Sequence, residues 1–270
     1  MRRLLFLMFF VCFLLQIYAG ATPVVHNGYE LPVDIYVNDT RLSCAGYLED
    51  TGSVFVPVRA VGTALGANVI WHEETRAAEI RLQEKSIFCY ADNLSGSSVS
   101  AVLKNNSFYV PLRAVAEHFS CHVSWDHATY TVYVEAPGVV VPSEVTSPYN
   151  AYDMKILASL VWLEAGAEPM DGKIGVASVI FHRVHSSLFP NTVHDVIYDN
   201  KYGVQFPPAF SHDLLQMEPA MDCILAVRMA EHGVYPCANA LYFSPASNTN
   251  SWAAKHRTYV TTIGKTAFYH

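Results

Sequence analysis

The apolar and polar positions change their rhythm twice along the chain. An apolar run from Leu4 to Leu15 follows Met1-Arg2-Arg3 and leads into Ala19-Gly20-Ala21. That is the order of charge, core and small residues in a secretory signal peptide, so residues 1–21 are expected to be removed on export. Residues 22–136 read as short strands and hairpins with turn formers between them. Pro137 to Pro148 holds three prolines and no helical period, so residues 137–150 are expected to form an extended linker. From 151 to 270 apolar residues recur three and four apart, the period of helices. The pattern predicts an α+β chain, with a β-rich first domain over 22–136 and a mostly helical second domain over 151–270.

The first domain contains an internal repeat. Phe55-Val56-Pro57-Val58-Arg59-Ala60-Val61 returns as Tyr109-Val110-Pro111-Leu112-Arg113-Ala114-Val115, and Val69-x-Trp71 returns as Val123-x-Trp125, each 54 residues later. Each unit reads as a strand, a helix starting around the proline, and a hairpin. The hairpin turns are expected at Glu73-Glu74-Thr75 and His127-Ala128-Thr129. Arg59 and Arg113 are open to two readings, a grip on a carboxylate or a brace for the fold.

In the second domain Asp153 is expected to cap a helix that runs through Met154–Ala165, free of glycine and proline, and stops at Gly166 and Pro169. Leu157, Leu160 and Val161 precede Glu164 at helical spacing, which places Glu164 on the apolar stripe. Positions 160, 161, 167 and 168 are Leu, Val, Ala and Glu, so no basic side chain stands one turn away. A carboxyl in apolar surroundings keeps its proton more readily, as a general acid requires. The bland alternative is a helix-face glutamate paired with the distant Arg183. Further helices are expected after Asp171-Gly172, with Gly175, Ala177 and Ser178 small enough for another helix to come close, at Val193–Tyr198 and at Pro219–His232. Strands are expected at 240–243, 258–263 and 267–269.

Composition sharpens this picture in three ways. With 270 residues, 51% hydrophobic and 15% charged, the chain can bury one large or two modest cores. Its net charge of -7 becomes -9 once Arg2 and Arg3 are removed, and neither domain is basic, so electrostatic capture of nucleic acid is not expected. Cys44, Cys89, Cys121, Cys223 and Cys237 remain after export. Cys223 and Cys237, alone in their half, are the natural disulfide pair. There is no CxxC, and no metal or other cofactor is expected. His118 with His122, and His182 with His185, have ligand-like spacing but no third partner nearby.

Two resemblances complete the reading. The paired pattern around Pro57–Trp71 and Pro111–Trp125 resembles the copper amine oxidase N-terminal-like domain, a stalk on exported bacterial proteins, whose name implies no copper here. Its partner is expected to be the cell wall or another exported protein. Residues 151–270 resemble the cell wall hydrolase family typified by the spore-cortex-lytic enzyme SleB. The pieces that carry this, in family order, begin with Leu163-Glu164-Ala165, Glu168-Pro169 and Gly172–Val179. They continue through Arg183-Val184, Phe189–Thr192, Gln205-Phe206 and Ala240–Phe243 to Ile263-Gly264-x-x-x-Phe268. Gly166 and Ala167 depart from the family's Arg and Gly, and His182 stands where Asn is usual.

The resemblance implies a lysozyme-like, lytic transglycosylase-like domain that cuts the β-1,4 bond between N-acetylmuramic acid and N-acetylglucosamine in peptidoglycan glycan strands, outside the cell in the wall or spore envelope. It implies Glu164 as the single catalytic acid/base, with Gln205, Phe206, Tyr242 and Glu168 as substrate-binding candidates. Two other classes remain open on the sequence: a glycan-binding module without activity, and a metal-dependent amidase supported only by the 12 histidines.

Overall fold

The computed structural model describes residues 23–91 and 99–270. The expected signal peptide lies outside them. The fold is α+β, with strands dominating Val25–Glu135 and helices dominating Ala151–His256.

In the first half the repeat is built as expected, and its register is constant. Strand Val54–Pro57 leads into α1 (Val58–Ala64) and a hairpin of Asn68–His72 with Ala77–Leu82. Strand Ser107–Pro111 leads into α2 (Leu112–His118) and a hairpin of His122–Asp126 with Thr131–Glu135. Pro57 and Pro111 are the N-caps, where the fixed proline φ turns a strand into a helix. The two repeat strands pair antiparallel, with Val56 opposite its own equivalent Val110. Antiparallel pairing centred on equivalent residues makes a local two-fold axis, so the helices and hairpins of the repeats lie around that axis.

The proline-rich segment is not a free tether. A 3-10 turn forms at Ser143–Val145, and Leu42 bridges to Thr146. Ser43 N donates to Val145 O and Ser147 N to Arg41 O, which pins the C-terminal end of the turn to the first domain.

The second half is organised on α3 (Ala151–Ala165). Six consecutive residues, Ile156–Val161, are buried. The helix is therefore wrapped along its middle rather than amphipathic. Its cap sits one turn earlier than the sequence suggests. Asn150 Oδ1 accepts from Asp153 N, and Asp153 Oδ2 accepts from Asn150 N, so Asp153 is the reciprocal N3 partner and not the cap. Helices α4 (Met170–Val184) and α7 (Met221–Glu231) pack against α3 and each other, with α5 (Val193–Ile197) and α6 (Pro207–Ser211) at the side. Gly175 of α4 lies against the ring of Phe268, so its smallness serves the closing sheet rather than another helix. That sheet has strands Tyr242–Pro245, Thr266–Tyr269 and Tyr259–Ile263, in that order, with α8 (Trp252–His256) inserted before the last two. Neither α6 nor α8 is expected from apolar period, because each has five residues and starts from a local signal, Pro207 or Ser251.

Cys223 and Cys237 are free thiols. Cys223 sits buried in the first turn of α7, while Cys237 Sγ donates to Gly175 O. Burial pushes both thiols up to about 11.

The two halves meet across a charged seam. Arg228 of α7 donates through Nε to Asp34 Oδ2 at 2.9 Å and through Nη1 to Tyr130 O at 3.1 Å. Arg41 reaches back to Glu231 of α7 with two bonds, of 2.7 and 2.6 Å, and to Asp34 Oδ1 at 2.7 Å. All four side chains are withdrawn from water. Leu31 of the first domain packs into the core of the second.

Candidate active site

Glu164 occupies the last turn of α3, where the helix leaves the wrapped core. Its side chain is half-buried and makes no hydrogen bond or ion pair among the described residues. Burial raises its pKa above the ordinary carboxylate range, and burial is the cause. Arg183, the partner of the bland reading, is engaged elsewhere.

Arg183 is 3% exposed and is the hub of an aromatic cluster. Its guanidinium carbon lies 4.7 Å from the ring centre of Phe189, 5.1 Å from Phe206 and 5.4 Å from Tyr242. Nε donates to Leu241 O at 2.7 Å, while Nη1 is buried without a protein partner. Burial lowers its pKa to about 10, against a small opposing influence of Tyr242 and Asp199. Stacking on ring faces gives the cation part of what lost hydration removes. Arg183 thus joins two of the sequence candidates, Phe206 and Tyr242, in one cluster.

The other candidates are placed differently. Phe206 is 3% exposed against Phe243, so it supports a wall rather than offering a free face. Gln205 is exposed, and its amide donates to Gly203 O in its own loop. Tyr242 is half-buried; its hydroxyl accepts from Arg257 Nη2 at 3.1 Å, and its ring lies 5.6 Å from Trp252. Trp252 is 55% exposed, with the Arg257 guanidinium 4.5 Å from its ring centre. Trp252 and Arg257 carry no signal of their own in the sequence pattern, because α8 is too short to show a period.

Glu168 is tied down. Oε2 accepts from Lys265 N at 2.9 Å in the turn of the closing sheet, and its backbone carbonyl accepts from Lys173 Nζ. Gly264 in that turn has φ +57°, and a Cβ there would collide with Glu168 Oε2. Glycine is required twice over, by the backbone angle and by the carboxylate.

The departure from the family pattern at Gly166 has a local explanation. A Cβ on Gly166 would meet the Trp162 carbonyl oxygen first and would come within 2.8 Å of the Trp162 ring atom Cδ1. Of the histidine pairs, His182 Nδ1 donates to Ala240 O and His185 Nδ1 to Phe181 O, so they serve the backbone. Among the described residues, no group of three histidines, cysteines or carboxylates has the arrangement of a metal site.

Comparison with known proteins fits this division. A family model described as Cell Wall Hydrolase matches residues 167–269. Residues 167–269 belong to the cell wall hydrolase family. The copper amine oxidase N-terminal domain model matches 36–134 and 92–152. The spore cortex-lytic enzyme of Oceanobacillus iheyensis is 36% identical over 133 residues, 49% of this chain and 45% of that protein. The spore cortex-lytic enzyme of Bacillus subtilis is 34% identical over 116 residues, 42% of this chain and 36% of that protein. The chain therefore spans less than half the length of these relatives. Among solved structures, the catalytic domain of the germination-specific lytic transglycosylase SleB from Bacillus anthracis is 32% identical. It covers 48% of this chain and all of that one, with a TM-score of 0.41. The cell wall hydrolase match opens three residues after Glu164, so the family span itself does not include the acid.

Proposed function

We propose that this chain is a peptidoglycan-cleaving lytic transglycosylase with Glu164 as its single acid/base. The observation that carries the reading is the state of Glu164, a carboxyl raised by burial and left without a cation. Burial disfavours the ionised form and so favours the protonated carboxyl, the form that can deliver a proton. In the proposed reaction Glu164 protonates the glycosidic oxygen between N-acetylmuramic acid and N-acetylglucosamine, and the bond from that oxygen to the muramic C1 breaks. The Glu164 carboxylate then takes the proton of the muramic C6 hydroxyl as its oxygen bonds to C1. The products are a free N-acetylglucosamine end and a 1,6-anhydro end, and the acid is regenerated.

One acid is enough for this route, whereas a retaining hydrolase needs a second carboxylate about 5 Å away. Each aspartate available by composition has its own contact. Asp171 accepts from Tyr29 and Asp195 from His194, while Asp199 and Asp213 accept from backbone amides in their own loops. The cluster of Arg183, Tyr242 and Trp252 supports the glycan, and Glu168 keeps the α3–α4 turn fixed to the closing sheet. Mass spectrometry of a peptidoglycan digest tests the reading. Anhydro ends are expected; reducing ends throughout would replace it with hydrolysis.

A further inference from the structure

The two repeats of the first domain build the same cleft twice. In one cleft Pro57, Arg59, Val69 and Trp71 form a wall; in the other the wall is Pro111, Arg113, Val123 and Trp125, each 54 residues later. The facing wall comes from the other repeat. Ser107 and Phe108 close the first cleft, and their equivalents Ser53 and Val54 close the second. This crossing follows from the two-fold pairing of Val56 with Val110. The cavities measure about 540 and 330 Å³, the size range of small-ligand sites.

What distinguishes them is the state of the arginine. Arg113 Nη1 donates to Val123 O at 2.9 Å and to Glu117 Oε1 at 3.1 Å, so its guanidinium is held in a surface ion pair and its side chain braces the hairpin. Position 63, the equivalent of Glu117, is Thr. Arg59 is exposed and has no hydrogen bond or ion pair among the described residues. Beside it Trp71 is 41% exposed and packs edge-on against Phe108; its indole N–H donates to Glu73, the one carboxylate of the wall. Asn106 and Ser107 add neutral polar groups at the lip.

We propose that the Arg59–Trp71 cleft binds a carboxylate-bearing glycan, with a sugar ring against the Trp71 indole and a carboxylate on the Arg59 guanidinium. A free guanidinium selects an anion, and an aromatic side chain with polar neighbours suits the mixed faces of a sugar. The equivalent Arg113–Trp125 cleft is smaller and its arginine is paired with Glu117, and it serves as the molecule's own control. The proposal extends the reading of the second domain as a peptidoglycan enzyme, but it concerns retention on the polymer and not its cleavage.

The test is co-sedimentation of the full chain carrying Glu164→Gln, so that nothing is digested, with purified peptidoglycan sacculi. Two further probes are sacculi whose carboxylates have been amidated, and chitin, which has none. Arg59→Ala is expected to weaken binding to untreated sacculi roughly tenfold, the size of a lost charged hydrogen bond, with an unchanged melting temperature. Trp71→Leu is expected to weaken it roughly fivefold. Amidated sacculi and chitin should be bound no better than by the Arg59→Ala protein. Arg113→Ala should lower the melting temperature while binding stays within about twofold of the parent. Equal binding by the parent and Arg59→Ala would overturn the proposal. So would equal binding of untreated and amidated sacculi, or an equal loss from Arg113→Ala. Release of fragments by the wild-type chain is scored separately, so a protein that binds without cutting would refute the enzymatic reading and leave this one standing.

Discussion

Asp34, in the seam between the halves, and Glu164, at the end of α3, are both withdrawn from water, yet their surroundings drive them in opposite directions. Burial alone would raise Asp34, but Arg228 and Arg41 overcome it and hold the carboxyl below its ordinary range. Glu164 has the burial without the cations and is raised. The seam needs fixed charges, since Asp34, Arg41, Arg228 and Glu231 satisfy one another. A general acid needs the reverse, a carboxyl whose ionised form is disfavoured until the reaction takes its proton. The difference shows that burial of a carboxylate is uninformative until its partners are counted.

The largest effect should come from breaking the Glu164 side. Glu164→Gln removes the proton donor and keeps the shape, and muropeptide release should fall about 10²- to 10⁴-fold, measured by chromatography of digests. Release at the wild-type rate would remove Glu164 from the mechanism. Breaking the seam comes next. Arg228→Met leaves Asp34 with one of its two cations, and removing one partner of a buried pair costs about 3–5 kcal/mol, read from denaturant unfolding of the whole chain. If the halves unfold together, the variant should shift a single transition. Two transitions, with only the first moved, would mean that the seam does not couple them.

Much of this was open to sequence reading. The 54-residue offset located both repeats, because Pro57 and Pro111 cap their helices and the Trp residues follow at fixed register. The isolation of Glu164 was visible in the residues one turn away. The seam was not visible, since Asp34 and Arg228 are 194 positions apart and read singly as surface charges. Nor was the commitment of Glu168, which depends on a turn almost a hundred residues downstream. The Arg183 cluster was only half visible, because Phe189, Phe206 and Tyr242 come from three separate segments and meet only in the fold. Long-range pairing leaves no period in the sequence.

Glu168 gives a smaller and more discriminating comparison, because it lies four residues from Glu164, just past the end of α3, and has the partner that Glu164 lacks. Glu168→Ala frees the Lys265 amide in an exposed turn, and the loss should be about 1 kcal/mol, seen as a lower melting temperature. Fragment release should stay within a few-fold of wild type. Abolished release by this variant, with Glu164→Gln still active, would exchange the roles of the two glutamates.

The smallest effect is also the most direct reading of the opposition between Asp34 and Glu164. A carboxyl raised in the folded state stabilises the fold fully below its unfolded pKa of about 4.3, and that contribution is lost as pH rises through the folded value. Glu164 is therefore a burden at neutral pH, and Glu164→Gln should be the more stable protein there, as is common where a functional group is held at the expense of stability. The gain should shrink on acidification and vanish near pH 4, where wild type carries the proton as well. Asp34 has the opposite sign: its folded value is depressed, so its contribution is present above about pH 3.9 and disappears as pH falls through that lowered value. His232, pushed down by burial, adds loss of stability in the same acid direction. Melting curves of wild type and Glu164→Gln from pH 4 to 8 separate the two groups, since only the Glu164 contribution differs between them. A constant difference across that range would show that the Glu164 carboxyl is not raised in the folded protein.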